Sequence, residues 1–181
     1  MPGKSPRELE GTWYHADPWE LDLKLTMYGK PLPFQVRHVT EFLADALRAG
    51  KLKLRAVESV PTTFHDPCQL VRKGGVQDAP RAIMKALGVE LHELENHGGF
   101  AFCCGGGGGV IDIERAAPLR YRTMEIKLRE IDDTGATTFL TTCSDCRRTF
   151  DDAQEHFGWN KAPESLLELV AASLDDAGPR D

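Results

Sequence analysis

Five cysteines carry most of the chemistry this 181-residue chain can offer: Cys68, the adjacent Cys103 and Cys104, and the pair in Cys143-Ser-Asp-Cys146. An odd number of cysteines, behind a start (MPGKSPRELE) with no signal-peptide core, argues against a disulfide framework. Adjacent cysteines rarely bond to each other, because the eight-membered ring strains the peptide and the S–S torsion. A Cys-x-x-Cys pair presents two thiolates from one turn, and a helix N-terminus beside it lowers their pKa. Alone, that pair suits a dithiol redox centre, half of a zinc site or half of a cluster site, and the other three cysteines favour a metal. Four thiolates close a zinc tetrahedron, and four usually hold a cubane iron–sulfur cluster. A fifth thiol asks for a less regular centre or leaves one reactive thiol spare.

Five glycines, Gly105 to Gly109, follow the cysteine pair directly. Glycine lets a backbone come close to a bulky group and take positive φ, so that N–H groups form an anion-binding nest. Gly105, Gly106 and Gly107 are therefore expected to cradle the same group that the thiols bind. A phosphate loop needs glycines at fixed offsets followed by Lys and Ser/Thr, which GGGGGVIDI lacks. In TFHDPC, His65 stands near enough to Cys68 to serve as a hydrogen-bond donor or proton source, or to anchor the turn with Asp66. His97 is a weaker candidate, and Arg147 and Arg148 read as a solvated helix face.

The elements that must position these residues alternate. Val36, Val39, Phe42, Leu43, Ala46 and Leu47 share one helical face, with Gly50 as the stop. VPTTFHD reads as a strand running into Pro67-Cys68, and PRAIMKAL as a helix with Pro80 in its first turn and Gly88 closing it. VELHEL is a second strand, followed by a long helix from Pro118 carrying Tyr121, Met124, Leu128 and Ile131. ATTFLTT is a third strand, Cys143 falls where it gives way to a helix, and PESLLELVAASL is a last amphipathic helix. This order predicts an α/β fold, with a small, open, mostly parallel sheet and flanking helices. Every cysteine then lies just beyond the carboxyl end of a strand, the edge at which open α/β sheets bind ligands.

Composition bounds the rest. A net charge of −6 argues against nucleic acid and anionic membrane surfaces as partners. No apolar run approaches a membrane span, so a cytoplasmic protein is expected, reaching a membrane only through a partner. Residues 1–34, rich in proline and aromatics and holding Trp13 and Trp19, read as an extension that straps the domain or contacts a partner. Residues 35–176 read as a single domain, and 177–181 as a polar tail.

The order HDPC, CCGGGG and CSDC resembles the CCG family, the cysteine-rich domain of heterodisulfide reductases and of iron–sulfur subunits in related oxidoreductases. Thirty-four residues separate Cys68 from Cys103, and 38 separate Cys104 from Cys143, close to the family's two gaps. The resemblance implies that Cys68, Cys103, Cys104, Cys143 and Cys146 bind a [4Fe–4S] cluster, noncubane or cubane, with a zinc-holding assembly domain as the alternative. It further implies electron transfer to a disulfide, or its reductive cleavage, within an oxidoreductase complex. The partners would be other iron–sulfur or flavin subunits and a disulfide-bearing substrate or carrier protein. Full-length members carry two such motifs; this sequence carries one, resembles the C-terminal half, and has Ser-Asp in its CxxC where proline often sits.

Overall fold

The computed structural model describes residues 37–174. The proposed extension and the polar tail lie outside the described residues. Four short parallel strands form one sheet: β1 (Pro61–Phe64), β2 (Glu90–Leu91), β3 (Thr138–Thr141) and β4 (Pro163–Ser165), in the order β2-β1-β3-β4. The register sets Thr62 opposite Thr138 and Phe139 opposite Pro163. The α/β architecture expected from the sequence is the one observed. The last segment departs from it in part: Pro163–Ser165 pairs as an edge strand, and the helix begins at Leu166. Proline is acceptable at the first residue of an edge strand, where no ladder N–H is needed.

Among the described residues, five α-helices connect and cover the strands: α1 (Val39–Arg48), α2 (Asp78–Ala86), α3 (Ala117–Asp133), α4 (Ser144–Phe157) and α5 (Leu166–Ala172). Two apolar clusters divide the core between the faces of the sheet. On one, Phe64 and Leu140 pack with Ala44 of α1, Ile83 and Met84 of α2, and Leu166 and Val170 of α5. On the other, Phe139 packs with Met124, Leu128 and Ile131 of α3 and Phe150 and Ala153 of α4. Phe139 and Leu140 thus serve opposite faces, as the two-residue period of a strand demands.

The first helix forms where its period places it, with its buried stripe rotated. Thr40 and Ala44 are buried, whereas Val39 and Phe42 are 43% and 63% exposed. The inward stripe is Thr40, Leu43, Ala44 and Leu47, spaced i, i+3, i+4, i+7. His38 caps this helix: its Nδ1 accepts from the Thr40 N–H while Glu41 accepts from the His38 N–H, completing a capping box.

The strand order has a consequence for ligands. From β1 the chain crosses to β2 on one side and later to β3 on the other, so connections diverge between β1 and β3. Such a switch point leaves a crevice at the carboxyl ends of the two strands. Phe139, fully buried beneath it, meets Phe150 edge-on with centroids 4.8 Å apart. Phe139→Ala is expected to cost about 3–5 kcal/mol of unfolding free energy in a urea titration.

Candidate metal centre

The crevice between β1 and β3 receives all five cysteines. Cys68 follows β1 and heads a short π-helical turn, Gln69–Lys73. Cys143 follows β3 and occupies the N-cap of α4, where its Sγ accepts from the Cys146 N–H at 3.5 Å. A thiol here takes the place of the usual Ser or Thr cap, and the helix N-terminus favours its ionised form. Cys103 and Cys104 arrive differently from expectation. Strand β2 stops at Leu91, twelve residues short of Cys103, and the intervening loop with a 3₁₀ turn at Gly98–Phe100 brings the pair back over the crevice.

A buried carboxylate fixes that return. Asp66, wholly buried at the end of β1, accepts from the Gly98 N–H at 2.7 Å and from both Arg81 terminal nitrogens at 3.0 and 2.8 Å. Arg81 of α2 also binds Glu93 through Nε at 2.6 Å and the Gln77 carbonyl at 2.9 Å. One guanidinium therefore joins β1, α2 and the loop leading to Cys103. Farther along, Asn96 and Lys127 both donate to Glu130, tying the same loop to α3. Asp66 and Arg81 stand fifteen residues apart and Asn96 and Glu130 thirty-four, so sequence spacing does not announce these pairs.

The thiols gather in two tiers. Cys104 and Cys146 are 2% and 3% exposed, lie 3.5 Å apart, and belong to the apolar cluster under α3 and α4. Cys68 and Cys103, both half-buried, lie 3.7 Å apart. All five are free thiols. The neighbouring Cys103 and Cys146 thiols, with His65, draw Cys104 strongly toward the thiolate against the opposing effect of burial. Beside Cys104, the Cys103 and Cys146 thiols are held up. The Cys146 thiol and the backbone N–H groups of Cys146 and Asp145 bring Cys143 down to about 6, although burial opposes them. Protons shared among close sulfurs are the arrangement that a thiophilic metal replaces when it binds.

Unpartnered polar atoms point the same way. Among the described residues, buried side-chain atoms without a hydrogen bond are Thr63 Oγ1, Thr142 Oγ1 and both ring nitrogens of His65. All belong to the carboxyl ends of β1 and β3 or the residues just after them. His65 is fully buried, and its ring and the sulfurs of Cys104 and Cys146 all lie within 4.8 Å of one another. This nitrogen–sulfur donor set suits iron–sulfur and zinc alike. His97 takes no part; it is exposed, and its ring contacts the Leu94 carbonyl. Arg147 and Arg148 form exposed ion pairs with Glu168 and Asp112, as a solvated face would.

The glycines have separable roles. Gly105 sits at φ 85°, and its N–H reaches the Cys103 Sγ at 3.3 Å. A Cβ on Gly106 would meet Thr149 Oγ1 of α4 at 1.8 Å, so the loop could not lie against that helix. Around a Cβ on Gly107 there is no protein atom within 4 Å. Gly106→Ala should therefore lower metal loading, and adding Thr149→Ala should restore part of it. Gly107→Val should leave the apo-protein's unfolding midpoint unchanged while lowering metal loading, measured as metal per chain after reconstitution. Arg81→Met strands the buried Asp66 carboxylate and is expected to cost about 3–5 kcal/mol in a denaturant titration.

Comparison with known proteins agrees with this geometry. The family of cysteine-rich domains called CCG matches residues 62–151. A subunit of the dihydromethanophenazine:CoB–CoM heterodisulfide reductase of Methanosarcina barkeri is 35% identical over 150 residues, covering 82% of this chain and 36% of that protein. The EtfAB:quinone oxidoreductase of Syntrophomonas wolfei is 42% identical over 107 residues, 59% of this chain and 15% of its own length. A probable iron-sulfur-binding oxidoreductase of Bacillus subtilis, FadF, is 43% identical over 81 residues, 44% of this chain and 12% of its own. The chain thus spans about a third or less of the length of these relatives. With one cysteine, a CC pair and a CxxC gathered at the switch point of a parallel sheet, this chain belongs to the CCG family of cysteine-rich domains.

Proposed function

We propose that the chain is an iron–sulfur redox module of a heterodisulfide-reductase-like oxidoreductase. The observation that carries this reading is the gathering of five free thiols from three separate segments at one edge of the sheet, with sulfurs 3.5 and 3.7 Å apart. Cys68, Cys103, Cys104, Cys143 and Cys146 are the residues proposed to hold a [4Fe–4S] cluster, with Gly105, Gly106 and Gly107 giving it backbone access. When bound, the cluster supplies electron transfer in single-electron steps.

The protein's own groups divide the remaining work. Cys104 and Cys146 anchor the inner side in the apolar core and keep water from it. Cys68, Cys103 and Cys143 are half-buried and present the outer side to whatever approaches. Two cavities, of about 470 and 290 Å³, flank Cys143; Arg147, Ser165 and Glu168 line the first, and Pro67, Gln69 and Leu70 the second. Both open beside a sulfur at a helix N-terminus, a suitable place for a disulfide or a carrier protein to meet the centre. Electron donors are assigned to iron–sulfur or flavin subunits, and contact with a membrane to such partners. No helix among the described residues is long and apolar enough to cross one.

A zinc-holding assembly domain is the second reading, favoured by the compact His65, Cys104 and Cys146 donor set. Redox titration separates the two. The anaerobically purified protein is expected to show charge-transfer absorbance that bleaches with dithionite and returns on adding a disulfide. Cys103→Ser and Cys104→Ser should each abolish that cycle, which a zinc domain never shows. Disulfide reduction that persists in both variants without the absorbance would instead assign the chemistry to the Cys143–Cys146 dithiol alone.

A further inference from the structure

The two tiers of thiols differ in what compensates their charge. On the half-buried tier, backbone amides serve: Gly105 N–H reaches Cys103, and Cys146 N–H reaches Cys143. Among the hydrogen bonds of the described residues, no backbone N–H reaches the fully buried Cys104 or Cys146. The polar group beside them is His65. Its ring is wholly buried, stands edge-on to Phe150 with centroids 5.0 Å apart, and leaves both nitrogens without a bond. Its neighbour Asp66 is already engaged by Arg81 and Gly98 and is no partner for it. An imidazole buried with two idle nitrogens costs stability that Phe or Leu at the same place would not. The site must return that cost.

We infer that His65 donates a ring N–H to the sulfur of Cys104, giving the buried side of the centre what backbone amides give the other side. The inference rests on the metal-binding reading of the thiols. His65 is then a positioning residue: it fixes the Cys104 sulfur and shapes the electronic character of whatever metal that sulfur holds. A hydrogen bond to a ligand sulfur stabilises the more negative, reduced state of a cluster and so raises its potential.

The test uses the anaerobically purified, metal-loaded chain and compares wild type with His65→Phe and His65→Gln. Phe keeps the ring and its contact with Phe150 but has no N–H; Gln restores a donor. Full iron content is expected in both variants, with a more negative midpoint potential in His65→Phe and an intermediate one in His65→Gln. Pulsed EPR of the reduced wild-type protein with ¹⁵N-labelled histidine should show weak nitrogen coupling. An unchanged potential in His65→Phe overturns the inference, and so does strong nitrogen coupling accompanied by iron loss, which would make His65 a ligand. Should His65→Phe fail to fold, the potential of His65→Gln and the wild-type coupling decide. If wild type carries zinc instead of iron, the redox reading fails by itself. The long-range ¹H–¹⁵N spectrum then judges His65: a proton on the nitrogen beside Cys104 supports the inference, and a metal-bound nitrogen refutes it.

Discussion

The structure depends on burying sulfur that wants to be charged. Cys104 and Cys146 sit within an apolar cluster whose other members are Leu94, Met124, Leu128, Ile131, Phe139, Phe150 and Ala153. A thiolate in such surroundings is costly unless it is paired or bound to a metal. At Cys104 the neighbouring thiols and the His65 ring act against that cost. A metal would act against it most strongly, and it would join segments that otherwise meet only through side chains. The metal centre is in this sense part of the core: the residues that pack α3 and α4 on the sheet are the floor on which the inner sulfurs rest.

The sheet supplies the place and the loop supplies the completion. Because connections diverge between β1 and β3, Cys68 and Cys143 come from neighbouring strands and need no special device to meet. Cys103 and Cys104 do need one, since β2 is at the edge and ends early. The Asp66–Arg81 pair and the Gly98 amide perform that task from beneath the loop, and Glu130 from the side of α3. Buried ion pairs of this kind add little net stability, while breaking one is expensive. Their value here is positional.

Much of this was legible from residue types and spacing. Alternating periods of two and three-to-four residues disclosed the α/β order, and strand-then-cysteine placement disclosed the shared edge. What escaped was governed by contacts distant in sequence. The stripe on α1 could be drawn through Val39 and Phe42 as well as through Thr40 and Ala44, and only packing against its neighbours selects the smaller pair. Strand β4 is three residues long and opens on proline, so its pattern merges into the helix behind it. Asp66 stands in HDPC, but its partner Arg81 lies fifteen residues away and belongs to no motif. His65 was visible as a candidate, but its full burial and idle nitrogens are properties of the fold alone.

The central claim is that these thiols hold an iron–sulfur centre. It is tested most directly by measuring iron, acid-labile sulfide and zinc per chain in protein purified without air. About four irons and four sulfides per chain, with zinc absent, is the outcome that agrees with the claim. One zinc per chain, no sulfide and no colour would contradict it and make the same scaffold a structural domain.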